Sequence, residues 1–114
     1  MKILEGNWGG LNVEIDLVMH SSLHNMLVFG SVKLAGKRLS VTELSDQVCK
    51  LRSIHPALFQ DQQIIYVFIA PTIDPVDEKR ICYSNTSAVH LCFPLADIFV
   101  KTICYINICS TPGK

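Results

Sequence analysis

The sequence predicts an α+β domain: a mainly antiparallel sheet with one principal helix, residues 41–53, packed on one face. Three stretches carry that expectation. Gln62 to Ala70 is an unbroken apolar run rich in β-branched and aromatic residues and closed by Pro71. With no charge in it, neither of its faces is suited to water, as in a strand buried on both sides. Ser40-Val41-Thr42-Glu43 fits a capping box and is followed by apolar residues at helical spacing. Leu11 to Met19 alternates, with Leu11, Val13, Ile15 and Leu17 opposed to Asn12, Glu14 and Asp16, which marks a half-exposed strand.

In chain order, Met1 to Leu4 reads as a short strand, and Asn7-Trp8-Gly9-Gly10 as the tight turn that joins it to 11–19 in a hairpin. His20 to Asn25 is a polar link. Met26 to Leu34 is a further strand, with Gly30 marking a bulge or a close backbone approach. Ala35 to Arg38 is a turn. In the helix, Val41, Leu44, Val48 and Leu51 form the apolar stripe, and Asp46 and Lys50 pair at i,i+4. His55-Pro56 ends it, because a residue before proline is driven out of the α region.

Beyond the run at 62–70, residues 71–80 read as a loop with the charged cluster Asp77-Glu78-Lys79-Arg80. Ile81 to Tyr83 reads as a short strand, Ser84 to Ser87 as a turn, and Ala88 to Phe93 as a strand stopped by Pro94. Leu95 to Thr102 has helical spacing, while 103–109 is β-rich. Pro94, Asp97, Lys101 and Asn107 interrupt the apolar stretch 91–109 and argue against a membrane span, since a central charge costs on the order of 2.5–3.5 kcal/mol even on a lenient scale. Only 35–61 is long enough for a crossover, so hairpins and meanders account for the rest.

A chain of 114 residues suits a single domain and buries roughly two-thirds of its unfolded surface without needing disulfides or metal. Ten basic and ten acidic residues cancel. No basic surplus points to nucleic acid or an anionic membrane, and the absence of mean repulsion, with 49% hydrophobic residues, points to self-association. The chain opens without an apolar signal segment, and Cys49, Cys82, Cys92, Cys104 and Cys109 are an odd set without a compact framework. Reduced thiols in an intracellular, cytoplasmic protein are the expectation.

Several residues are chemically capable. His20 and His24 are four apart, but in a link rather than on a helix, and without a glutamate after the first. Cys82, His90 and Cys92, with Asp74 or Asp77 to orient the imidazole, are the parts of a thiol site, and His90 and Cys92 share a strand face. An apolar strand, however, raises a thiol's pKa and makes it inert. The carboxylate pairs Glu14/Asp16 and Asp74/Asp77 lack an apolar pocket. Gly36-Lys37 is no phosphate loop, and Lys33, Lys37 and Arg38 form too small a basic knob for nucleic acid. Trp8 beside two glycines is either an interaction anchor or packing for the hairpin. No catalytic, cofactor or metal residue follows from these patterns.

From Ser45 to Phe93 the chain resembles the ubiquitin-like β-grasp pattern. The capped helix leads through Pro56 to Asp61-Gln62-Gln63 and a strand, then by a loop to Ser87-Ala88-Val89-His90-Leu91, which looks like that family's last strand. Gly36-Lys37 stands where its first hairpin would turn. The resemblance implies a β-grasp-like topology, without the C-terminal diglycine used in conjugation.

The functional expectation is a non-catalytic protein–protein interaction or adaptor domain that self-associates. The alternatives are a small thiol- or metal-dependent enzyme using Cys82, His90 or Cys92, and a subunit of a larger complex. The helix stripe roofs one face of 62–70. The other face is left to the C-terminal segment, a second chain or a partner.

Overall fold

The computed structural model describes residues 2–3 and 13–96. Five strands and three helices follow one another along them: β1 (Lys2–Ile3), β2 (Leu17–Ser21), β3 (Met26–Val32), α1 (Val41–Ile54), α2 (Pro56–Phe59), β4 (Gln63–Ala70), α3 (Pro75–Cys82) and β5 (Val89–Pro94). The expected turn at Trp8, the helix and strand expected over 95–109, and Cys104 and Cys109 lie wholly or largely outside the described residues.

The α+β content is as expected, but the sheet is mixed rather than mainly antiparallel. Its order follows the chain, β1-β2-β3-β4-β5. The pairs β1–β2 and β2–β3 are antiparallel, whereas β3–β4 and β4–β5 are parallel. The first crossover, through α1 and α2, is the one that 35–61 was long enough to make. The second overturns the reading of 71–83 as loop and short strand. Pro75 starts α3 with Asp77 and Glu78 in its first turn and Lys79 and Arg80 in its last, the polarity that complements a helix dipole. Gly36-Lys37 is no hairpin either. It lies in a 3₁₀ turn, Gly36–Arg38, that leads into α1.

Local chemistry sets the element ends. The Ser40 hydroxyl accepts from the Glu43 N–H at 3.2 Å and caps α1. The Glu43 carboxylate does not complete the expected box and pairs with Lys33 at 3.4 Å. Asn25 (φ 51°) ends the four-residue turn between β2 and β3, and Asp61 (φ 59°) turns the chain into β4. Both are residue types that tolerate the left-handed region. Gly30 is no bulge, since the register runs through Leu17↔Gly30. A Cβ there would stand 2.8 Å from Leu17 Cβ, so the two strands need a glycine at this point.

Register divides the sheet into two faces. Val18, Leu27, Phe29, Tyr66 and Phe68 share one face with His90 and Cys92. Every buried side chain of the three helices joins that face in a single core: Val41, Leu44, Val48 and Leu51 of α1, Phe59 of α2 and Ile81 of α3. Both helical layers fall on one side for a geometric reason. The crossovers β3→β4 and β4→β5 step across the sheet in the same direction. Successive right-handed crossovers without a reversal of strand order place their helices on the same face.

Candidate functional site

The face opposite the helices contains Met19, Val28, Val32, Ile65, Val67, Ile69, Val89, Leu91 and Phe93. No residue of β2 to β5 on this face is charged. Val28 and Val67 are buried, yet neither belongs to the core that the helices form. Val32, Val89, Leu91 and Phe93 are 36–45% exposed. Such a row of large apolar side chains on one side of a sheet is a surface suited to contact rather than to water.

On the helix side, the chemically capable residues gather around the start of β5. Tyr66 lies on the sheet beneath α1, and His90, its register partner on β5, stacks on it at 5.6 Å and 3°. Burial raises the Tyr66 phenol above its usual pKa, against an opposing hydrogen bond from Ser45. His90 Nδ1 is 2.8 Å from the Ile81 carbonyl. A carbonyl only accepts, so Nδ1 carries a proton, while Nε2 is hydrogen-bonded to the Thr86 hydroxyl. The Thr86 oxygen in turn accepts from the Ala88 N–H at 3.1 Å. Both imidazole nitrogens are thus engaged in holding the α3–β5 connection.

Between α1 and residues 85–87 lies a cleft of about 240 Å³, lined by Ser45, Cys49, Arg52, Phe59, Tyr66 and Thr86 among others. The Arg52 guanidinium lies over the Phe59 ring, 5.3 Å from its centroid. The cleft was not anticipated from the sequence. Its one signal was Tyr66, the single side chain with a polar tip within the apolar stretch 64–70 of β4. A smaller hollow of about 190 Å³, lined by Gly36, Lys37, Thr72, Asp74 and Asp77 among others, lies where the chain leaves β3 and β4. Arg80 braces this end by donating to the Leu39 carbonyl at 2.7 Å and pairing with Asp77 at 3.2 Å.

The thiol constellation is only partly assembled. His90 and Cys92 share a face as expected, and the Cys82 thiol lies beside Cys92. Burial first, and then the neighbouring Cys82, pushes the Cys92 thiol up to about 12. That thiol keeps its proton at neutral pH, and His90 has no free nitrogen to remove it. His20 lies in β2, separated from β5 by two strands in the sheet order, and His24 in the following turn, so neither histidine joins the other three. Among the described residues no group of three His, Cys, Asp or Glu is placed to hold a metal ion. Asp16 has a structural task, accepting from the Val32 N–H at 2.8 Å. Asp74 stands at the N-cap of α3 without a side-chain bond to it. Glu14 is exposed, and its N–H donates to Gln47.

No family model matches the chain, and no curated protein or solved structure matches it. Among the described residues no helix is long and apolar enough to cross a membrane.

Proposed function

We propose that the chain is a non-catalytic protein–protein interaction or adaptor domain whose contact surface is the sheet face opposite the helices. The observation that carries this reading is the uncharged row with Val32, Val89, Leu91 and Phe93 exposed on it. An apolar sheet face is matched in water by another apolar surface, which is how sheets pack in sandwiches and at interfaces. The protonated Cys92 thiol and the engaged His90 ring weigh against a thiol-dependent enzyme.

Photo-cross-linking tests the reading. A benzophenone amino acid replaces Val32 or Val89 on the open face, and Glu43 or Lys50 on the exposed side of α1 as controls. The expected result is discrete cross-linked products from the two face positions, to a second copy or to another protein, and none from the controls. Equal labelling from all four positions, or none from the face, would overturn it.

A further inference from the structure

The partner of that face can be narrowed through the strand at its border. β5 hydrogen-bonds to β4 along Ile65↔Val89 to Ala70↔Pro94, and among the described residues nothing pairs with its other edge. Sheet edges are normally defended by charge, by shortness or by a covering element, because their free N–H and C=O groups template further pairing. The opposite edge, β1, is two residues long. β5 has six residues, and Val-His-Leu-Cys-Phe-Pro contains no charged side chain.

We propose that this edge pairs with the same strand of a second copy, antiparallel about a twofold axis perpendicular to the sheet. The proposal rests on the interaction reading above and deepens it by naming the partner. Two constraints fix the register. Directly opposed residues of an antiparallel pair point to the same face, so the axis must pass midway between the two copies of one residue and not between different residues. Centring on Leu91 sets Leu91 against its own counterpart and Val89 against Phe93, and engages all of residues 89–93. Pro94, which has no N–H to donate, then falls at the end of the ladder, where proline is tolerated. The alternative centre, Cys92, forfeits part of this ladder and draws Pro94 into it.

Charge favours a second copy as the occupant. A twofold axis opposes every surface feature to itself, so a charged edge would repel its own image, and this edge has none to oppose. The whole chain carries no net charge to resist the approach. The apolar residues of the two β5 strands then form one continuous strip on the open face.

Disulfide trapping reads the register directly. All five native cysteines are replaced by serine, and a single cysteine is introduced by Leu91→Cys, Val89→Cys, Phe93→Cys or, as an exposed control away from the edge, Val32→Cys. Directly opposed Cα atoms lie about 4.5–5.5 Å apart, within disulfide reach, so Leu91→Cys should cross-link to itself roughly tenfold faster than Val32→Cys. Val89→Cys should link efficiently only when mixed with Phe93→Cys. Light scattering at micromolar concentration should give a dimer mass for the unaltered chain. If the serine background does not fold, a benzophenone amino acid at the same positions of the unaltered chain replaces the disulfide readout. A monomer, equal linking at Val32 and Leu91, or cross-links from position 91 to residues 97–114 of the same chain would each overturn the proposal. A monomer whose open face still cross-links specifically to another protein would overturn only this pairing and leave the interaction reading standing.

Discussion

The two faces of the sheet are built from similar side chains, yet only one of them joins the core that the helices form. On one, Leu27, Phe29 and Phe68 are fully buried beneath α1, α2 and α3. On the other, Val28 and Val67 are buried outside that core, and Val32, Val89, Leu91 and Phe93 remain over a third exposed. Hydropathy does not separate them, since both sets are valine, leucine, isoleucine and aromatic residues. Connectivity separates them, because two crossovers that step the same way send both helical layers to one side. Whether the helices cover an apolar face therefore depends on where the chain passes next.

The largest test of this contrast is Phe68→Ala, which empties the centre of the closed face and should cost about 3–5 kcal/mol, read from urea unfolding. Leu91→Ser on the open face should change stability by less than about 0.5 kcal/mol while weakening association in light scattering. Equal losses from the two substitutions would mean that the open face is covered within the monomer.

A smaller effect is expected at the strand crossing. Gly30→Ala would bring its Cβ to 2.8 Å from Leu17 Cβ, which cannot rotate away. Overpacking of this kind costs about 1–3 kcal/mol, and Leu17→Ala in the same chain should recover part of it. Ser40→Ala removes the cap of the helix that closes the first face and should cost about 1 kcal/mol.

The mildest contrast is chemical. Cys49 and Cys82 are exposed, whereas Cys92 is half-buried with its thiol pushed up to about 12. A thiol reagent at neutral pH should modify Cys49 and Cys82 well before Cys92, read by peptide mass. The fold holds the Cys92 proton to higher pH than the unfolded chain does. Its contribution to stability is therefore complete below the ordinary value of 9.0 and is lost as pH rises towards about 12. The urea midpoint of the unaltered chain should fall more steeply above pH 9.0 than that of Cys92→Ser.

Much of the fold was legible where a pattern persists over several turns or alternations. The α1 stripe from Val41 to Leu51 and the apolar run of β4 are both long enough to state their own period. α3 was not, because it spans eight residues and buries only Ile81. Its start signal, Pro75 at N1 followed by acids, was present but was outweighed by the charged run behind it. That single miss removed the second crossover and with it the parallel pairing of β4 with β5. The cleft around Tyr66 was beyond sequence reasoning for a different reason. Its lining comes from α1, α2, β4 and residues 85–87, which only folding brings together.

The sequence by itself determined that β4 would be apolar on both faces and that one capped helix would cover one of them. These follow from side-chain period, which is a local property of the chain. The tertiary structure alone decided that α3 joins α1 on the same side, that β5 stands parallel at the sheet border, and that His90 spends both nitrogens on its neighbours. Those outcomes depend on crossover handedness and on contacts between distant residues, and no local pattern encodes either.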